Sequence, residues 1–392
     1  MRAYSESSEE ALRARDLLKE WAGEGFVTQE QYQRLEQETP CDLRRTNVFL
    51  RLVLLLFTLI LTVAVAGLFF AVFLSHPGKQ TAGVFLLIFA ALSYGAAEIA
   101  VAQARLYRYG IEEGFAVCSA GFLCAGLAAF SQRMDILIPA AGAILSLWIW
   151  HRFGFPYAFP AAMIFTLWLP RHWTPSRPAQ HLTIAALYAI SLFIVTAVRP
   201  RHRFTYLNQK YSIAEALLWL GIYLAINLQL SPLDLAKNWL AAPRTATEFS
   251  RPFYWATWVL TWCLPPVVLA RGLRGKDRFV IAVGVLTAIL TLVTNKPYLG
   301  WLRHSWDPML LGALLIGAAL FIRRWLAQGT DGIRHGFTAH RLSAKDGLWM
   351  NVGATVIGLV TPNAIVPGPR ADNPAVRFGG GDSGGGGATS DF

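Results

Sequence analysis

Four glutamates sit in or at the edges of strongly apolar stretches: Glu98, Glu112, Glu113 and Glu215. An ionised carboxylate is costly in hydrocarbon, so one found there binds a proton or cation, or meets a fixed counter-charge. Glu98 lies about five residues inside the second apolar stretch and seven residues before Arg105. Glu112 and Glu113 open the third stretch and Glu215 opens the seventh, where a helix dipole favours negative charge. Two chemistries fit. In one, Glu98, Glu113 and Glu215 form a proton- or cation-coupling site near one membrane face. In the other, Glu112, Glu113 and Glu215 are interfacial caps paired with Arg105, Arg108 or Lys210, and Glu98 meets Arg105 or a basic residue on another segment.

The remaining polar groups are less specific. Asn227, Gln229 and Ser231 close the seventh stretch and suit interhelical hydrogen bonds better than a cavity lining. Gly381-Asp382-Ser383-Gly384-Gly385 matches a serine-hydrolase string, but that chemistry needs the serine on a strained strand-to-helix turn beside a histidine. Here it lies ten residues from the end in glycine-rich sequence, so it reads as a decoy. Gly272-Leu273-Arg274-Gly275-Lys276 lacks the spacing and hydroxyl of a phosphate loop and reads as a basic turn. The histidines show no metal-ligand spacing, and the four cysteines (Cys41, Cys118, Cys124, Cys263) form no CxxC pair. No enzyme activity, cofactor or metal is implied.

The elements that must carry these groups are membrane helices. The 392 residues are 54% hydrophobic and only 15% charged, with a mean hydropathy of +0.40. Soluble domains carry roughly 25% charge, so a water-soluble globule is excluded. Ten apolar segments are readable, at 48–74, 81–104, 113–131, 135–151, 155–170, 180–198, 213–230, 252–270, 278–294 and 307–326. Crossing hydrocarbon takes roughly 20 helical residues. The fifth segment is short and holds Pro156 and Pro160, so a broken or re-entrant helix is the alternative there. Arg51, the one charge in the first segment, is expected to snorkel to the interface. Most tryptophans fall near segment ends, as in an interfacial belt.

The net charge of +11 does not point to nucleic acid, because the cations sit in short loops between apolar runs. With ten spans, the loops and flanks on the side of the termini hold 17 Lys and Arg against 9 opposite, which places both termini in the cytoplasm. Residues 1–47 are polar and mildly acidic. Ser7 with Glu10, and Thr28 with Gln31, mark two capped helices separated by Gly23-Glu24-Gly25. Leu12, Leu17, Leu18, Trp21, Phe26, Val27, Tyr32 and Leu35 would form the seam of this hairpin. Residues 327–366 read as a cytoplasmic or interfacial segment and 367–392 as a disordered Pro/Gly-rich tail. The fold class is thus all-α: a polytopic bundle of about ten helices behind a small helical hairpin. A faint internal echo links 111–115 with 213–217, which would make any repeat parallel at an offset of four segments.

The stretch from Leu17 to Leu35, with Gly25, Thr28 and Tyr32, then a basic pair and a long apolar run, resembles a bacterial membrane-protein family catalogued as a domain of unknown function. The loop from Arg108 through Gly110 to Glu113 and the glycine-rich tail are similar to the same kind of protein. The resemblance implies a helical hairpin before many membrane helices, in a bacterial inner membrane, and carries no activity or catalytic residue. Two functions follow from the residues. One is a carrier or channel for a small molecule, ion or lipid with Glu98 as the coupling group. The other is a non-transporting scaffold or regulator whose hairpin and tail bind a protein partner. Membrane lipids are partners in either case.

Overall fold

The computed structural model describes residues 2–23, 25–73, 78–130, 136–202, 207–230, 249–301, 304, 306–329, 333–334 and 337–338. Ser231, the stretch 348–366, the serine-hydrolase-like string and the glycine-rich tail lie outside them. Among the described residues there are twelve α-helices: α1 (Glu6–Gly23), α2 (Gln29–Glu38), α3 (Val48–Phe73), α4 (Lys79–Ala102), α5 (Ile111–Phe130), α6 (Leu137–Phe153), α7 (Ala158–Trp168), α8 (Arg177–Val198), α9 (Leu207–Ile226), α10 (Arg251–Gly275), α11 (Arg278–Tyr298) and α12 (Asp307–Ala327). Short 3-10 turns follow α7 and α8. The chain divides into two compact units, Met1–Ala319 and Leu320–Phe392. In the second, Ile333–Arg334 pairs antiparallel with Phe337–Thr338, and the Arg334 guanidinium lies 4.4 Å over the Trp325 ring.

Seven helices, α3, α4, α5, α8, α10, α11 and α12, are long and apolar enough to cross a membrane. Their exposed flanks explain why. α3 buries only Thr58 and Ala66 and turns Phe49, Phe57 and Ile60 outward, a surface that water would not tolerate and hydrocarbon would. Each expected apolar segment coincides with one helix from α3 to α12. The weak fifth one is the shortest: α7 has 11 residues and passes at Leu169 into a turn holding Pro170. α6 has 17 residues, and α9 begins at Leu207, well before the expected position 213.

The N-terminal helices start and stop for local reasons. Thr28 and Gln31 form the capping box that their spacing predicts. α1 differs from expectation. It begins at Glu6, and Ser5, not Ser7, accepts the Ser8 N–H. The expected apolar seam does not close either: Leu18 is buried, whereas Leu17, Trp21, Phe26 and Leu35 remain exposed. Polar bonds tie the hairpin instead. Arg15 donates to the Thr39 carbonyl at 2.7 Å, and Arg45 pairs with Asp16 at 2.7 Å.

Glycines set the closest approach in the bundle. Gly110 has φ +107°, and a Cβ there would lie 2.2 Å from the Arg51 carbonyl oxygen. A Cβ at Gly114 would lie 2.7 Å from the Thr58 side chain. The first turn of α5 therefore rests on the backbone of α3, as small residues allow in membrane helix packing. Gly83 and Gly126 let α4 and α5 meet the same way, each facing the other's carbonyl. Replacing Gly110 with Ala combines left-handed strain with overpacking and should destabilise the protein by about 3 kcal/mol. Gly121→Ala, where nothing lies within 4 Å, should be neutral or slightly stabilising. Thermal unfolding of the two purified variants checks this contrast.

Candidate functional site

The helix ends in the first unit bring the buried charges to one end of the bundle. Alternate helices reverse direction, so the starts of α3, α5, α9 and α11 meet the ends of α4, α6, α8 and α10. Three of the four glutamates, Glu98, Glu113 and Glu215, meet a guanidinium there. Glu113, 1% exposed, accepts from Arg51 of α3 through both carboxylate oxygens. The Gly110 contact brings α3 close enough to α5 for the Arg51 side chain to reach Glu113. Glu98 takes a forked pair of bonds from Arg152 of α6, at 2.8 and 2.9 Å, and a third from the Tyr94 hydroxyl at 2.8 Å. Trp148 in turn donates to that hydroxyl at 2.7 Å.

Glu215, also 1% exposed, is shared by two arginines, Arg199 at 2.5 Å and Arg271 at 3.0 Å. Arg199 reaches Asp277 as well, at 2.6 Å, and Ser212 donates to both Asp277 oxygens. Arg199, Arg271 and Asp277 thus join α8, α9, α10 and α11 through two carboxylates. The carboxyl of Asp277 is held below its ordinary range. Burial pushes it up, but the Ser212 hydroxyl and the Arg199 charge outweigh burial.

Several expectations change. The partners of Glu113 and Glu215 are not Arg105, Arg108 or Lys210. Arg105 pairs with Asp42, and Arg108 lies over the Tyr107 ring. Glu215 is in the third turn of α9, so two arginines stabilise it where the helix terminus cannot. Glu98, Glu113 and Glu215 occupy three separate pairs and do not share one cation cavity. Glu112 is fully buried. One of its oxygens accepts the Tyr109 N–H at 2.7 Å, and the other has no hydrogen-bond partner among the described residues. The echo between 111–115 and 213–217 does not extend to packing, because Arg51 arrives from α3 and Arg199 from the turn between α8 and α9.

The N-terminal segment is sewn to this end. The Ala3 N–H donates to the Arg152 carbonyl at 2.9 Å, and Tyr4 is buried against Tyr107. Arg44 forms a one-residue parallel bridge with Leu106, exchanging bonds with Arg105 and Tyr107. A cavity of about 280 Å³ lies between α1 and the bundle, lined by Arg2, Glu9, Tyr107, Trp150 and Lys210 among others. Lys210 stands ahead of the apolar run 213–230. It donates to the Trp150 carbonyl at 2.5 Å and lies 4.1 Å from the centre of that ring.

The opposite end of α9 carries neutral polar groups. Asn227 donates to the Tyr223 hydroxyl and to Thr294 of α11, and Tyr223 meets Thr291 at 2.9 Å. Gln229 contacts the Tyr254 hydroxyl of α10 at 3.4 Å. His181, buried in α8, meets the Ala225 carbonyl at 2.7 Å. Pro265 cannot donate to the Thr261 carbonyl one turn back, and Thr291 supplies that bond at 3.0 Å. Sequence reasoning missed Asp277, Ser212, His181 and the threonines. A signal for the threonines existed: Thr287, Thr291 and Thr294 share one helical face. Among the described residues no group of three His, Cys, Asp or Glu could hold a metal.

Because the Asp277 carboxyl is depressed in the folded state, its stabilisation is complete above the ordinary aspartate range near pH ~4 and fades as pH falls through the depressed value. Asp277→Asn should cost about 2 kcal/mol at neutral pH. The gap from wild type should narrow below pH ~4 in thermal unfolding. A gap that stays constant at acid pH would contradict the charged pairing. Comparison with protein-family models, curated proteins and solved structures finds no match to the chain.

Proposed function

We propose that the chain is a non-transporting membrane scaffold or regulator. The observation that carries this reading is the state of Glu98, the residue best placed for ion coupling. Three hydrogen bonds, two from Arg152 and one from Tyr94, occupy its carboxylate, and it does not line the 280 Å³ cavity beneath α1. Arg152 also holds the N-terminal segment through its carbonyl, so the hairpin and the bundle share one residue. A change in the hairpin on meeting a protein partner would therefore reach the charged end of the bundle directly.

In this reading α6, α7 with the turn that follows it, and α9 cross the membrane beside the seven helices that are both long and apolar enough, making ten spans with both termini in the cytoplasm. The excess of Lys and Arg on that side supports the orientation. A bacterial inner membrane and the family resemblance read from residues 17–35 belong to the same proposal, as does the absence of enzyme activity.

Proteoliposomes test the reading. Under an imposed pH gradient, wild-type vesicles should take up protons no faster than protein-free ones. Glu98→Gln should instead lower stability by about 1–3 kcal/mol, because Arg152 loses the charged acceptor of its forked pair. A pH-driven flux that disappears in a normally folded Glu98→Gln protein would establish the carrier.

A further inference from the structure

Two cavities in the first unit adjoin each other at the charged end. One, of about 450 Å³, is lined by Arg199, Glu215, Arg271, Arg274, Lys276 and Asp277, among others. The other, of about 490 Å³, is an apolar groove along α8 and α9, lined by Ala189, Leu192, Phe193, Ala197 and Trp219. Thr196 and Arg271 line both, so the groove runs into the basic pocket.

The charges in the pocket are not balanced. Its two carboxylates are already engaged: Glu215 by Arg199 and Arg271, Asp277 by Arg199 and Ser212. Arg274 and Lys276 are exposed, and their side chains have no ion-pair or hydrogen-bond partner among the described residues. Arg271 is half exposed despite its bond to Glu215. The pocket therefore presents four cations against two neutralised anions, with two cations unpartnered. Its floor is fixed, because Gly272 packs against the Ile281 backbone and Asp277 caps α11 through the Phe279 N–H.

We propose that this is a binding site for an anionic phospholipid, with the headgroup phosphate at Arg271, Arg274 and Lys276 and one acyl chain along the α8–α9 groove. Basic pockets between membrane helices on the side rich in Lys and Arg suit acidic headgroups. The continuity with an apolar groove is what selects a lipid over a free phosphate, since a soluble anion gains nothing from Phe193 and Trp219. The site does not involve Glu98 and stands apart from the proposed scaffold role.

The test uses the full chain in neutral detergent and measures binding of phosphatidylglycerol and phosphatidylcholine by native mass spectrometry, with inorganic phosphate as competitor. Wild type should retain phosphatidylglycerol in preference to phosphatidylcholine. Arg274→Ala with Lys276→Ala should weaken phosphatidylglycerol by roughly tenfold or more, without shifting the unfolding midpoint, because neither side chain has a partner to lose. Ala189→Trp, which fills the groove, should weaken the same lipid while leaving the basic pocket intact. Unchanged phosphatidylglycerol binding in the double variant would overturn the proposal, and so would equal retention of the two lipids by wild type. Displacement by millimolar inorganic phosphate, together with indifference to Ala189→Trp, would assign the pocket to a free anion and overturn the lipid.

Discussion

A carboxylate buried in a membrane bundle must be neutralised where it stands, and that requirement organises one whole end of this protein. Glu113 and Glu215 are almost fully buried, and water cannot solvate them. Leaving such a charge unpaired costs about 3–5 kcal/mol, a large share of the stability of an ordinary domain. Each glutamate therefore dictates where an arginine from another helix must lie. Glu113 fixes α3 against α5, Glu98 fixes α4 against α6, and Glu215 with Asp277 fixes α8 through α11. The glycine contacts serve the same end. Without a Cβ at Gly110 and Gly114, α3 comes near enough for Arg51 to reach Glu113.

The far end of α9 solves its packing with neutral groups. Hydroxyls and amides cost less to bury than ions, and the shared bonds among Tyr223, Asn227, Thr291 and Thr294 satisfy each one. The Thr291 bond to the carbonyl freed by Pro265 allows two prolines inside α10 without an open backbone group at Thr261. α9 thus links a charged layer at its start to a hydrogen-bonded layer just past its end. The charged layer is the one that also holds Ala3, Tyr4 and Arg44, so the N-terminal segment docks where side chains are already fixed.

Helix positions were legible in the sequence because apolar length is a local property. The runs from Val48 and from Asp307 read directly as α3 and α12, and Thr28 with Gln31 marks the start of α2. Partners were not legible, since pairing depends on which helix ends meet. Arg105 lies two helical turns beyond Glu98, which places it on the same face only if the helix continues. α4 ends at Ala102; Arg105 adopts φ +51° and turns toward Asp42, and Arg152, 54 residues away in sequence, takes Glu98. Asp277 passed unnoticed within a run of cations, although a carboxylate between a basic turn and an apolar run is well placed to cap the next helix. The unpartnered state of Arg274 and Lys276 is likewise visible only once Glu215 and Asp277 are seen to be occupied.

The most direct measure of this account is a double-mutant cycle on Arg51 and Glu113, followed by unfolding of the purified protein. Each single change, Arg51→Met or Glu113→Gln, should destabilise by about 3 kcal/mol or more, since it strands its partner. The two together should cost much less than the sum, and the exchanged pair, Arg51→Glu with Glu113→Arg, should recover part of the loss. Single changes that leave stability intact, or losses that simply add, would contradict the claim that buried ion pairs hold this end of the bundle.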